Sequence, residues 1–402
     1  MGNFKYYTPT KVEFGKGKEE KVAKLIKEFG GSKVLIHYGK GSVVKSGLLD
    51  YVKDRLKEAE IDFVELGGVV PNPRLSLVRE GIKMVKDNGV DFVLSVGGGS
   101  VIDSSKAICY GAMLPEDVDV WDIYLGKYRP KASLPLGVVL TLSATGSEMS
   151  DSSVITNEDG WVKLGANSDL CRPRFAIMNP EFTMTLPKYQ TMAGATDIMM
   201  HTMERYFTNN PGLELSDEIA EGVLRTVMTN ALILNEDPEN YDARAEIMWA
   251  GSLSHNGLTG MGSDGGDWCC HKIEHELSGL YDVTHGAGLA AIWGTWARYV
   301  KDDCVERFYK FAVNVMGAEP LGYEEDDRTV DDVIIEGIEN LELFFKTIGM
   351  PTSIKELNVN MTDDDAHLMA KKCADGCGGK KGAAKVLYEE DMYNIYKGAW
   401  DR

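Results

Sequence analysis

The sequence predicts an α/β half built on a Rossmann-like parallel sheet, followed by an all-helical half. Three observations predict it. Strand and helix signals alternate through the first half. After Pro187 strand-like runs become rare and long helical patterns take over. A glycine-rich loop follows an apolar strand in the first half, while histidines recur at helical spacing in the second. The predicted domains are residues 1–188 and 189–402.

The elements follow in order. Lys33 to Tyr38 is a short apolar run ended by Gly39, and Ser46 to Ala59 is periodic, with Leu48, Leu49, Val52 and Leu56 on one face. Asp62 to Leu66 reads as a strand, Pro71-Asn72-Pro73 as a turn, Arg74 to Asn88 as an amphipathic helix and Phe92 to Val96 as a buried strand. Leu136 to Leu142 and Phe175 to Met178 are further strands. Beyond 188, helices are predicted over 189–208, 214–235, 240–257, 267–279, 286–300, 303–316, 330–348 and 363–373. The acidic clusters Glu324 to Asp327 and Asp363 to Asp365 read as solvated helix starts, which suits the helix dipole.

Composition excludes several functions. The 402 residues carry 62 acidic against 43 basic side chains, a net charge of −19, which argues against a nucleic acid or an acidic membrane surface as partner. No stretch approaches the roughly 18 apolar residues of a membrane span. The residues Met1 to Tyr6 form no apolar signal core, and Gly2 lacks the Ser or Thr at position 6 that myristoylation wants. Seven scattered cysteines make no disulfide framework and favour the cytoplasm; Cys373 and Cys377 form a lone C-x3-C, which without a second pair is weak evidence for metal.

Gly97-Gly98-Gly99-Ser100 stands between strand and helix. Three glycines allow close backbone approach, and the helix start offers unpaired N–H groups that suit a pyrophosphate. A tight strand-to-helix turn with no ligand is the plain alternative. Gly39-Lys40-Gly41-Ser42 follows the first strong strand with no acidic residue to hold a ribose 2′-hydroxyl. That favours NADP(H) over NAD(H), with Lys40 as an ordinary surface lysine the competing reading.

Asp197 and His201 lie four apart on a predicted helix, as do His271 and His275, and His285 follows after a turn. One carboxylate and three imidazoles suit Fe²⁺ or Zn²⁺, leaving one histidine for chemistry. Each pair by itself reads equally as a surface or core pair. His271-Lys272-Ile273-Glu274-His275 is also literally H-x-x-E-H, the inverted zinc-peptidase pattern, with Glu274 as base.

These residues together resemble the iron-containing alcohol dehydrogenases. Gly97-Gly98-Gly99-Ser100-x-x-Asp103-x-x-Lys106 is similar to their nucleotide loop, and Thr141 to Glu148 to their second cofactor loop. Gly194 to Asp197 with His201, and His271-x-x-x-His275 with His285, resemble their metal signature. Tyr38 to Ser42 and Pro71-Asn72-Pro73 look most like the butanol dehydrogenase, or NADPH-dependent aldehyde reductase, branch. The resemblance implies a dehydroquinate synthase-like fold with the active site in the cleft between the two domains. It implies metal held by Asp197, His201, His271 and His285, with His275 as the catalytic or supporting histidine. Gly98, Gly99, Ser100, Asp103, Thr141, Thr145 and Lys163 are implied at the cofactor, with Asp103 and Lys163 at the catalytic end. The expected reaction is hydride transfer between NADP(H) and a small alcohol or aldehyde such as butanol or butanal, in a cytoplasmic homodimer. A zinc peptidase and an NAD-dependent polyol dehydrogenase of glycerol type remain alternatives. Met199, Met200, Met203, Trp268 and Trp293 are candidates for an apolar substrate pocket or for core. Cys269 and Cys270, beside the first downstream ligand, are candidates for oxidation.

Overall fold

The computed structural model describes residues 1–322 and 327–402, so of the acidic cluster Glu324 to Asp327 only the last residue lies within the described residues. The first part of the chain runs β1 (Lys11–Phe14), α1 (Val22–Glu28), β2 (Lys33–Gly39), α2 (Ser42–Lys45), α3 (Leu48–Glu58), β3 (Asp62–Val69), α4 (Leu75–Asn88), β4 (Phe92–Gly97), α5 (Gly99–Gly111), α6 (Trp121–Tyr124), β5 (Leu136–Leu140), β6 (Ser152–Asn157), β7 (Val162–Asn167) and β8 (Phe175–Met178). Helices follow: α7 (Lys188–Tyr206), α8 (Glu214–Glu236), α9 (Tyr241–His255), α10 (Cys269–Tyr281), α11 (His285–Val300), α12 (Val305–Asn314), α13 (Val330–Thr347), α14 (Asp363–Gly376) and α15 (Glu389–Asp401).

Six strands form one sheet in the order β1-β8-β5-β4-β2-β3, every pair parallel. Its inner strands β4, β5 and β8 read as apolar runs because both of their faces are covered. Leu35, Val93, Val138 and Ala176 point to one face, where Val78 and Val85 of α4 and Ile102 and Ile108 of α5 bury them. Val34, Ile36, Leu94, Val139 and Ile177 point to the other, against Ile26 of α1 and Val52 and Leu56 of α3. β6 and β7 form a separate antiparallel hairpin.

The chain divides into two compact units. One gathers Tyr7–Leu186 with Glu239–Asn256; the other gathers Met1–Tyr6, Pro187–Pro238 and Gly257–Arg402. The helix expected over 240–257 was placed with the helical half by sequence position. As α9 it belongs to the sheet unit, where Trp249 meets Phe14 edge-on at 6.3 Å. The acidic start of α14 is a capping box, with the Thr362 side chain accepting from the Asp365 N–H and Asp365 accepting from the Thr362 N–H. No helix among the described residues is long and apolar enough to cross a membrane.

Candidate nucleotide loop and metal centre

In the sheet unit, β4 delivers Gly97 and Gly98 to the start of α5. A Cβ on Gly99 would lie 2.4 Å from Thr145 Oγ1, so glycine is what lets the Thr141 to Thr145 segment close onto the helix start. α5 then anchors that segment. Asp103 Oδ1 accepts from Ser147 Oγ at 2.6 Å and Oδ2 from the Val154 N–H at 2.9 Å. Burial raises the Asp103 carboxyl, opposed by Lys106, by these donors and by Lys163 of β7. Lys106, one turn on, is wholly buried and donates to Ser147 Oγ, Ser150 O, Ser150 Oγ and Ser152 O at 2.7–3.2 Å. Its i+3 spacing from Asp103 was the available signal for this anchoring role. On the far side of the loop, the Thr145 carbonyl meets His255 Nδ1 at 2.7 Å, and Ser252 donates to the buried Glu148 at 2.5 Å. Gly39 closes β2, and exposed Lys40 and Ser42 begin the short turn into α2.

In the helical unit, α7, α10 and α11 bring the predicted ligands together. His201 Nδ1, His271 Nε2 and His285 Nε2 lie 3.4, 3.7 and 3.7 Å from the same atom, Asp197 Oδ1. The approach of α11 to α7 depends on Gly286, where a Cβ would stand 2.0 Å from the Ala193 carbonyl oxygen. Asp197 Oδ1 and His271 Nε2 are buried without a hydrogen-bond partner among the described residues. Buried orphans of this kind are costly, and a cation facing both would satisfy them. One carboxylate and three imidazoles therefore fit a divalent ion of the Fe²⁺ or Zn²⁺ type. Burial alone would raise the Asp197 carboxyl, but the His201, His285 and His271 rings hold it well below the usual carboxylate range. Burial pushes the His201 imidazole down. Burial also works to lower His271, but Asp197 and Glu204 reverse it and raise the ring to about 9.

Two carboxylates aim the rings. Glu204 Oε1 accepts both the backbone N–H and Nδ1–H of His271, each at 2.8 Å. Glu274 accepts from His285 Nδ1 through one oxygen and from Ser278 Oγ through the other. Each leaves Nε2 facing Asp197, the outer-shell pattern that fixes tautomer and orientation in metal sites. Glu204 lay seven residues after Asp197 and three after His201, on the same helical stripe, which was the signal for it. Asp267 steadies the start of α10, accepting from the N–H groups of Cys269, Ala383 and Ala384.

Glu274, His275 and His285 also lie close enough to form a second ligand-like group. With both Glu274 oxygens taken, the Asp197-centred group is the better metal site. For the same reason the H-x-x-E-H peptidase reading is not assembled: Glu274 is fully buried, and the His271 and His275 rings are 6.5 Å apart at 83°. His275 stands beside the cluster, its ring 5.7 Å from that of His285. Met199, Met200, Met203 and Trp293 are core, Trp293 packing on Phe207, Trp296 and Phe311. Trp268 is half-buried against His271 and His201. Cys269 and Cys270 are buried, and burial pushes both thiols up, so they pack and are not reactive.

A parallel-sheet unit with a glycine loop, and a helical unit with a carboxylate–imidazole cluster, define a metal- and nicotinamide-dependent oxidoreductase. Residues 9–180 match the iron-containing alcohol dehydrogenase family, and residues 191–400 match the C-terminal part of the Fe-containing alcohol dehydrogenase family. The chain belongs to the iron-containing alcohol dehydrogenases, with the family's dehydroquinate synthase-like fold, and is an NAD(P)-dependent alcohol dehydrogenase. It is 42% identical to NADH-dependent butanol dehydrogenase A of Clostridium acetobutylicum, over 99% of each chain. It is 36% identical to the NADPH-dependent aldehyde reductase YqhD of Escherichia coli, over 90% of each. The crystal structure of NADH-dependent butanol dehydrogenase A from Thermotoga maritima superposes with a TM-score of 0.93 at 40% identity, covering 100% of this chain and 99% of that one.

Proposed function

We propose that this alcohol dehydrogenase reduces small aliphatic aldehydes, butanal among them, with NADPH favoured over NADH. The observation that carries the carbonyl chemistry is the convergence of three imidazoles on one buried carboxylate oxygen. A divalent ion held by Asp197, His201, His271 and His285 supplies Lewis-acid polarisation of a carbonyl, and a reduced nicotinamide supplies the hydride. Glu204 and Glu274 keep the imidazoles aimed, so no reorganisation is needed during reaction. His275 holds the proton that completes the alcohol, its ring lying beside that of His285. Gly97 to Ser100 receive the pyrophosphate at the α5 start, with Thr141, Thr145 and Lys163 lining the same site. Asp103 acts here as a positioning residue, since Ser147 and Val154 take its oxygens.

The coenzyme preference rests on the end of β2, where Gly39-Lys40-Gly41-Ser42 offers a cation and a hydroxyl and no acid. The second reading, NADH, is favoured by the relatives named NADH-dependent butanol dehydrogenases. Metal-stripped protein reloaded anaerobically with Fe²⁺ or Zn²⁺ tests both while NADPH and NADH oxidation is followed with butanal. Metal-dependent turnover favouring NADPH, with Lys40→Ala raising the KM for NADPH alone, supports the reading. A preference for NADH refutes the coenzyme argument, and turnover only with polyols refutes the substrate. His275→Ala is expected to keep its metal and lose about 10²–10⁴ in kcat. The reading extends to a cytoplasmic homodimer, which light scattering at twice the chain mass would support.

A further inference from the structure

Carboxylates aim the imidazoles through hydrogen bonds, and an aromatic side chain stands against them. Trp268 is the residue before α10 and lies at φ 62°. That left-handed conformation is uncommon for a bulky side chain and persists where the surroundings over-determine it. The preceding turn and the end of α7 supply those surroundings. Gly265 and Gly266 run at φ 97° and 92°. A Cβ on Gly266 would stand 2.6 Å from the Glu204 carbonyl oxygen, so glycine is what lets the turn lie on α7. The same carbonyl accepts the Asp267 N–H at 2.7 Å. The Trp268 indole N–H donates back to the Gly265 carbonyl at 2.5 Å. The Arg205 guanidinium lies 4.6 Å from the indole ring centre, and Arg205 donates to the His201 carbonyl at 2.8 Å.

The turn fixes the indole beside two of the imidazoles. Its ring centre is 5.3 Å from that of His271, edge-on at 64°, and 6.1 Å from that of His201, tilted at 60°. The His201 and His271 side chains are 5% and 6% exposed, whereas Trp268 is half-buried. The indole therefore stands between those two rings and solvent. The cluster is more open at His285, whose side chain is 25% exposed.

Building on the metal centre proposed for Asp197, His201, His271 and His285, we propose that Trp268 is a positioning residue that retains the metal. Its indole keeps the His201 and His271 rings from swinging off the ion and keeps water from that side. An ion leaves when a ligand ring turns away or a competing ligand enters. A wall packed beside both rings obstructs both routes, and it leaves the His285 side accessible.

The test uses the full-length protein loaded with Zn²⁺ and challenged with excess EDTA. Bound zinc is followed over time by elemental analysis of the desalted protein. Trp268→Ala should release zinc about 10–100-fold faster than wild type, the range by which lost supporting contacts weaken metal sites. Trp268→Phe keeps an aromatic wall and should release zinc more slowly than Trp268→Ala. Trp268→Gly separates packing from strain. Glycine accepts φ 62°, so the metal-free Trp268→Gly protein should melt at a higher temperature than metal-free Trp268→Ala. It lacks the indole, so it should still release zinc as fast as Trp268→Ala. Release at the wild-type rate from both variants overturns the proposal and leaves the metal centre standing. Slow release from Trp268→Gly alone also overturns it, because backbone strain and not the indole would then govern retention. Wild-type protein that takes up no zinc overturns the metal centre itself, and the role of Trp268 with it.

Discussion

The two sites of this enzyme are built in opposite ways. The helical unit concentrates charge: one carboxylate and three imidazoles face each other, and two further carboxylates sit behind them. The sheet unit removes side chains: Gly98 and Gly99 at the β4–α5 junction let a second loop, at Leu142 and Thr145, lie against a helix start. The first site works through groups that are present, the second through Cβ atoms that are absent. Damage should differ accordingly, with the cluster failing chemically and the loop failing sterically.

The largest break should come from His271→Ala, which removes a ligand and leaves Asp197 and Glu204 uncompensated. Metal content and kcat should fall together, kcat by about 10³ or more, given that even outer-shell losses cost 10–100-fold. Unchanged metal by elemental analysis would remove His271 from the ligand set. Glu204→Gln sharpens the same side of the comparison. It keeps shape but loses charge, so metal affinity should drop about 10–100-fold, with kcat recovering at saturating metal in a metal titration. Gly99→Ala tests the other side. The added methyl collides with Thr145, so the coenzyme KM should rise several-fold while bound metal stays stoichiometric, at a stability loss of about 1–3 kcal/mol.

The effect that is smallest at neutral pH lies in the sheet unit and emerges on acidification. His37 is fully buried on β2, between the Leu66 carbonyl at 2.7 Å and Ser104 Oγ at 2.8 Å. Burial lowers its imidazole to about 4. Below the unfolded value near 6.5 the unfolded chain gains a proton that the folded chain refuses. Stability is thus complete above that value and is lost as pH falls toward about 4, by about 3 kcal/mol. His37→Asn should flatten that part of the stability-against-pH curve in urea titrations. An unchanged slope would mean that His37 is not what couples this unit to pH.

Much of this was legible in the sequence, and the remainder had specific reasons not to be. Strands β2, β4, β5 and β8 stood out because burial on both faces makes an apolar run. β1 has four residues and exists by pairing with β8, which is far away in the chain. The β6–β7 hairpin carried a turn signal in Asp159-Gly160 but weak strand patterning. The predicted helices stop at 373, although Met392, Ile395, Tyr396 and Ala399 at helical spacing marked α15. α9 was correctly helical, but periodicity carries no address, so its place with the sheet was invisible.

The sequence by itself determined the order of elements, the glycine junction and the histidine spacings. These depend on polarity repeating every two or 3.6 residues along a continuous stretch. Only the tertiary structure decided that Glu204 faces His271, 67 residues away, and that Glu274 serves His285 instead of activating water. It alone decided that Asp103 and Lys106 tie down the second loop. The physical reason is common to all of them. A side chain's chemistry is set by its nearest neighbours in space, and burial strengthens each of those contacts while leaving no trace in local periodicity.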